Sequence, residues 1–141
     1  MISRVAQETP HGCGQACVAM LLGLPFHAAV ALVGHDRGTS TADLARVLRL
    51  AYGCPDRLVL GHPTTDPALV KVRVPGVRDW HWCVYAGARI LDPDHAAMAV
   101  ALGGRITSHL PLVGHVARPV RRVGRPLLSL DSLYSDLRLS S

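Results

Sequence analysis

Gln7, Cys13, His81 and Asp92 have the types and the order along the sequence for acyl transfer at a thiol. A cysteine attacks a carbonyl as the thiolate, and proteins favour thiolates at helix N-termini and beside an imidazole. Cys13 heads the apolar run "CGQACVAMLLG", which places it in the first turn of a predicted helix. Gly12 and Gly14 flank it and permit a tight backbone and close approach by a substrate. His81 opens a predicted strand and can face that thiol. Asp92 closes the next strand and can orient the imidazole through its other nitrogen. The oxyanion of a tetrahedral intermediate needs donors, and the backbone N–H of Cys13 and the side-chain amide of Gln7 are the candidates. Trp80 and Trp82 flank His81 and can cover the pair. His11, two residues before Cys13, can tune the thiol or contact substrate.

A metal site built from His11, Cys13, Cys17, His81 and Cys83 is the rival reading. His81 and Cys83 share one face of their strand, because side chains alternate with period two. Structural zinc sites usually contain a C-x2-C pair, and the sequence has none, so no metal and no cofactor are expected. Cys17, one turn after Cys13, reads as core packing, and Cys54, beside Pro55, as a loop or core thiol. His27, His35, His62, His95, His109 and His115 have no partner pattern and read as structural or surface residues.

The elements that must position these side chains are legible in outline. Helices are expected over 13–22, 25–34 and 38–53. Ser40 or Thr41 can cap the third, Asp43 favours its positive end, and Leu44, Val47, Leu48 and Ala51 form one stripe. Short β-branched or aromatic runs over 57–60, 69–74, 81–87 and 88–92 read as strands, with Ala86–Gly87 as a hairpin turn between the last two. A short helix is expected over 92–102, and one or two strands then a last element over 106–141. Helices first and strands second give an α+β class, with N-terminal helices packed on a C-terminal antiparallel sheet. A length of 141 residues predicts a single domain, 1–141.

Composition narrows the partners. Hydrophobic residues make up 49% and mean hydropathy is positive, which excludes a disordered protein. The net charge is +5, but every basic residue except Lys71 is Arg. Such a skew is common where the coding sequence is GC-rich, so nucleic acid is not the expected partner, and the run "RPVRRVGR" (118–125) reads as a solvated edge. Residues 17–34 are long enough to cross a bilayer, yet Gly23, Pro25 and His27 interrupt them, which predicts two buried helices and no span. The first ten residues lack the apolar segment that secretion needs, so the protein is expected to be cytoplasmic at synthesis, with its four cysteines reduced.

Gln7, six residues before "CGQACVAM", followed by "HWCV" at His81 and "LDP" at Asp92, resembles papain-like cysteine peptidases. Within them it is most similar to the bacteriocin-processing group, which cuts leader peptides after a double glycine. The likeness covers about residues 5–95 and includes the helix "GTSTADLARVL". It implies a papain-like fold and a peptide or protein substrate. The roles it implies are Cys13 as nucleophile, His81 as general base and acid, Asp92 as orienter, Gln7 as oxyanion donor. Transporter-borne members carry membrane and ATP-binding domains after this one. The sequence has neither, so a stand-alone member is expected, for which leader processing and effector-type cleavage are both open. Protein deamidation, transpeptidation or thiol transfer would use the same residues. A non-catalytic peptide-binding domain is the remaining alternative.

Overall fold

The apolar run after Cys13 folds as α1 (Cys13–Leu22), with Gly14 through Leu21 buried. Gly23 ends it at φ 69°, a left-handed conformation in which its N–H returns to Ala19 O. Pro25 then opens α2 (Phe26–Val33), which Gly34 closes in the same way. The computed structural model describes residues 2–94 and 103–115. Among them no single helix is long and apolar enough to cross a membrane, and α1 and α2 meet at a bend of 108°.

In α3 (Thr41–Leu48), the Asp43 N–H donates to Ser40 Oγ at 3.1 Å and the Ser40 N–H donates to Asp43 Oδ2 at 3.0 Å, a reciprocal capping box. That backbone donor at Ser40 is the largest influence on the Asp43 carboxyl; burial opposes it, and with the smaller help of the Ser40 hydroxyl and His35 the carboxyl is held below its ordinary value. The helix expected over 38–53 is shorter than its apolar stripe suggests. After Leu48 the backbone turns, and Tyr52–Gly53 forms β1 against β7 (Val113–His115). Tyr52 is drawn out of the helix because its ring is buried and its hydroxyl donates to Leu21 O at 3.0 Å.

The main sheet has five strands in the order β2-β6-β3-β4-β5, with every pair antiparallel. They are β2 (Val59–Leu60), β3 (Ala68–Arg73), β4 (His81–Ala86), β5 (Arg89–Leu91) and β6 (Arg105–Pro111). Helices pack on this sheet through Leu44, Leu48, Leu69, Trp82, Val84 and Leu110, and Val70, Val72 and Cys83 form a second core on the other face. The α+β class and its helix-on-sheet layering are as expected. Residues 95–102 and 116–141, where a short helix, the basic run 118–125 and a last element were expected, lie outside the described residues.

The β4–β5 turn sits one residue later than expected. Ala86 pairs with Arg89, so Gly87 and Ala88 form the loop, both at φ 60°. A two-residue turn of this type needs positive φ at both positions. Left-handed backbone costs a non-glycine residue about 1–2 kcal/mol, while a new glycine adds about 0.4–1 kcal/mol of unfolded-state freedom. The first effect wins. Ala88→Gly is expected to raise stability by about 0.5–1 kcal/mol in urea unfolding, and a lower midpoint would contradict the assigned turn.

Candidate active site

Cys13 is the first residue of α1, and Gly12 precedes it as an N-cap with no side-chain oxygen on the first turn. The thiol is therefore the side chain nearest the positive end of the helix. Both flanking glycines are required by space. A Cβ on Gly12 would lie 2.5 Å from Thr9 Oγ1 and 2.7 Å from Phe26 Cζ, and one on Gly14 would lie 2.0 Å from Thr39 Oγ1. Gly14 thus lets the 38–40 loop close directly against the start of α1.

His81 begins β4. Leu91, the last residue of β5, pairs with Val84, so the next residue, Asp92, stands level with Cys83 and on the face of β4 that carries His81. The His81 Nε2–H donates to Asp92 Oδ1 at 2.6 Å, and the Asp94 N–H donates to the same oxygen at 2.9 Å. Asp92 is only 3% exposed. The N-terminal segment fastens this corner. Arg4 Nε donates to Asp92 O at 2.6 Å, Arg4 also reaches Asp94 O, and the Gln7 N–H donates to Pro93 O at 2.8 Å.

With Nε2 engaged, the other ring nitrogen is left for a thiol; Cys13 and Cys83 both lie near enough to favour the charged imidazole, and the Cys83 sulfur is within 4.8 Å of a ring nitrogen. Burial, the largest single influence, disfavours imidazolium. The Asp92 carboxylate and the two sulfurs outweigh it and push His81 up to about 12. The other cysteines are in poorer settings for attack. Burial raises Cys17, with neighbouring negative charge adding to it, pushes Cys83 up to about 11 against the favourable His81 contact, and raises Cys54. All four thiols are free, and Cys13 is half-buried while Cys17 and Cys83 are fully covered.

An open cleft of about 520 Å³ lies over Cys13 and His81, and Gln7, His11, Trp80 and Trp82 line it. Trp82 is buried and its Nε1–H donates to Thr39 O at 3.3 Å, whereas Trp80 is 50% exposed at the mouth. The fold therefore gathers the residues that the sequence marks for catalysis and substrate contact. Gln7 carries a qualification. Its Nε2 donates to Thr9 O at 3.0 Å and to Pro10 O at 3.1 Å, so both amide hydrogens are already engaged. To serve an oxyanion the amide must release one of them when substrate arrives.

Gln7→Ala is expected to lower kcat by about 10²–10³ if the amide is an oxyanion donor, with the thermal midpoint nearly unchanged. A large fall in the midpoint with kcat preserved would reduce Gln7 to a staple for its own loop.

Lys71, Arg4 and Gln15 were not expected at the site, and Cys83 was expected there only as a metal ligand. Gln15 is fully buried and its Nε2 donates to His35 O and Arg37 O at 2.8 Å each, which ties the loop after α2 to α1. A polar residue inside an apolar run is the signal that could have found it, since a buried amide needs partners. Among the described residues, His81, Cys83 and Asp92 are the set whose donor atoms fall within 4.8 Å of one another and could hold a metal ion, and His11 and Cys17 do not join them. A metal there would have to break the His81–Asp92 hydrogen bond and deprotonate a thiol that burial holds at about 11. These atoms fit a hydrogen-bonded His81–Asp92 pair beside a protonated Cys83 thiol better than a metal centre. No protein-family model matches the sequence, and no curated protein matches it significantly.

Proposed function

We propose that the protein is a papain-like thiol hydrolase that cleaves a peptide bond in a peptide or protein substrate. One observation carries this reading: His81, held on one nitrogen by buried Asp92, lines the same open cleft as Cys13, whose thiol is close enough to favour the charged imidazole. Cys13 as thiolate attacks the scissile carbonyl and forms a carbon–sulfur bond, and the oxyanion takes the Cys13 N–H and a released Gln7 N–H. His81, as imidazolium, gives its proton to the departing amine as the carbon–nitrogen bond breaks. Water then gives a proton to His81 and its oxygen to the thioester, which restores the thiolate–imidazolium pair and frees the acid. Asp92 keeps Nε2 protonated and aims the ring throughout. Trp80 and Trp82 wall the cleft, which favours small residues beside the scissile bond, as in double-glycine leaders.

The first test is chemical. At neutral pH iodoacetamide is expected to label Cys13 at least about tenfold faster than Cys17, Cys54 or Cys83, since those three are buried or raised. Mass mapping of the labelled protein reads the rates, and equal rates in the folded protein would remove the nucleophile. A peptide library read by mass spectrometry then identifies the reaction. Backbone cleavage supports hydrolysis, and ammonia release without cleavage replaces it with deamidation at the same residues.

A further inference from the structure

We infer that Lys71 selects a substrate that places a carboxylate in the same cleft, outside the small residues next to the bond that is broken. The cleavage itself rests on the reading above, but the binding preference does not. Lys71 lies on β3 directly across from Trp82 on β4, and it lines the same cleft as Cys13 and His81. Its Nζ is 4.4 Å from the Trp80 ring centroid and 5.2 Å from that of Trp82. Two aromatic faces thus hold the ammonium in place. They accept none of its N–H groups in the conventional sense, so its donors remain available to a ligand.

Among the described residues no carboxylate answers this charge. The ion pairs there join His35 to Asp43, Arg49 to Asp56 and His81 to Asp92. Asp79 and Asp94 also line the cleft, and none of the ion pairs among the described residues joins Lys71 to either. A second cation strengthens the field, because the Arg73 guanidinium sits 4.7 Å from the Trp80 centroid. Partial burial pulls the Lys71 ammonium below its ordinary pKa, a penalty that an anionic ligand would reverse. The aliphatic stem alone would explain packing against indole. It does not explain a charged end that meets indole faces rather than a counter-ion in a cleft beside a nucleophile. A carboxylate entering there gains a charge-assisted hydrogen bond in a partly dry site. It can come from an Asp or Glu side chain or from the C-terminus of a peptide.

The test uses Cys13→Ala protein, which binds without cutting, and reads the fluorescence of Trp80 and Trp82, the only tryptophans in the sequence. Positional peptide libraries carry Glu at one fixed place, with Gln twins, each as free acid and C-terminal amide. One acidic series is expected to bind about tenfold to a hundredfold tighter than its neutral twin. Its position, or its dependence on the free acid, identifies the source of the carboxylate. Lys71→Met keeps the stem and should erase the ratio, and Lys71→Glu should turn the preference toward a fixed Lys. The inference is overturned if no acidic series is favoured, or if the preference survives in folded Lys71→Met protein. Acid preference without cleavage by the unaltered protein would keep Lys71 and remove the hydrolase. Cleavage without acid preference would do the reverse.

Discussion

Cys13→Ala and His81→Ala are each expected to lower kcat/KM by at least about 10⁴-fold, with the double variant no worse than either single one. In the proposed mechanism the two side chains act as one unit: without the imidazole the thiol loses its proton carrier, and without the thiol the imidazole has nothing to serve. Neither contributes much to the core. Cys13 is half-buried at the start of α1 and His81 lines an open cleft. The thermal midpoint of Cys13→Ala should therefore stay close to that of the unaltered protein, whereas His81→Ala leaves buried Asp92 without its imidazole and should melt lower, so turnover is compared at a temperature where both variants are folded. Peptide turnover that persists in Cys13→Ala would place the nucleophile elsewhere.

Asp92→Asn preserves shape and replaces the strongest acceptor at His81. A loss of about 10²–10⁴ in kcat is expected, together with a moved pH profile. The direction follows from His81, raised from 6.5 to about 12 against the opposing effect of burial. A histidine raised on folding contributes stability that is complete below its unfolded value near 6.5 and is lost as pH climbs toward 12. The unaltered protein should thus stay active well into mildly alkaline conditions. In Asp92→Asn the alkaline limb should fall toward the ordinary histidine range, and the stability difference between the two proteins should shrink as pH rises. An alkaline limb that does not move would show that Asp92 does not set the charge on His81.

Much of this site could be read from order along the sequence. Cys13 before an apolar run, His81 at the start of a strand and Asp92 after a hairpin are local patterns, and short-range periodicity locates them. Lys71 was visible only as the single Lys among many Arg residues. Its place beside Trp82 depends on the β3–β4 register, which nothing local specifies. Arg4 and Gln15 act on backbone carbonyls far away in sequence, and a backbone carbonyl leaves no mark there. The third helix ends early for a related reason. Leu44 to Ala51 keep a helical stripe, but pairing of Tyr52 with β7 overrides it. At the β4–β5 turn, glycine marked the loop correctly while Ala88 carried the second positive φ without any sign of it.

The contact between Gly14 and Thr39 divides the cleft into two walls of different adaptability. On the side of α1, width is fixed where a glycine meets the neighbouring loop, and any side chain at position 14 would collide with it. The atoms it would meet belong to the Thr39 side chain, so position 14 cannot be exchanged alone, and this wall is retuned only through Thr39 or the loop that carries it. The opposite wall is made of replaceable groups, Lys71, Trp80 and Trp82. Divergence in substrate choice among descendants of this protein, natural or engineered, should therefore accumulate on the strand side. The helix side would stay constant as the ruler against which each new substrate is measured.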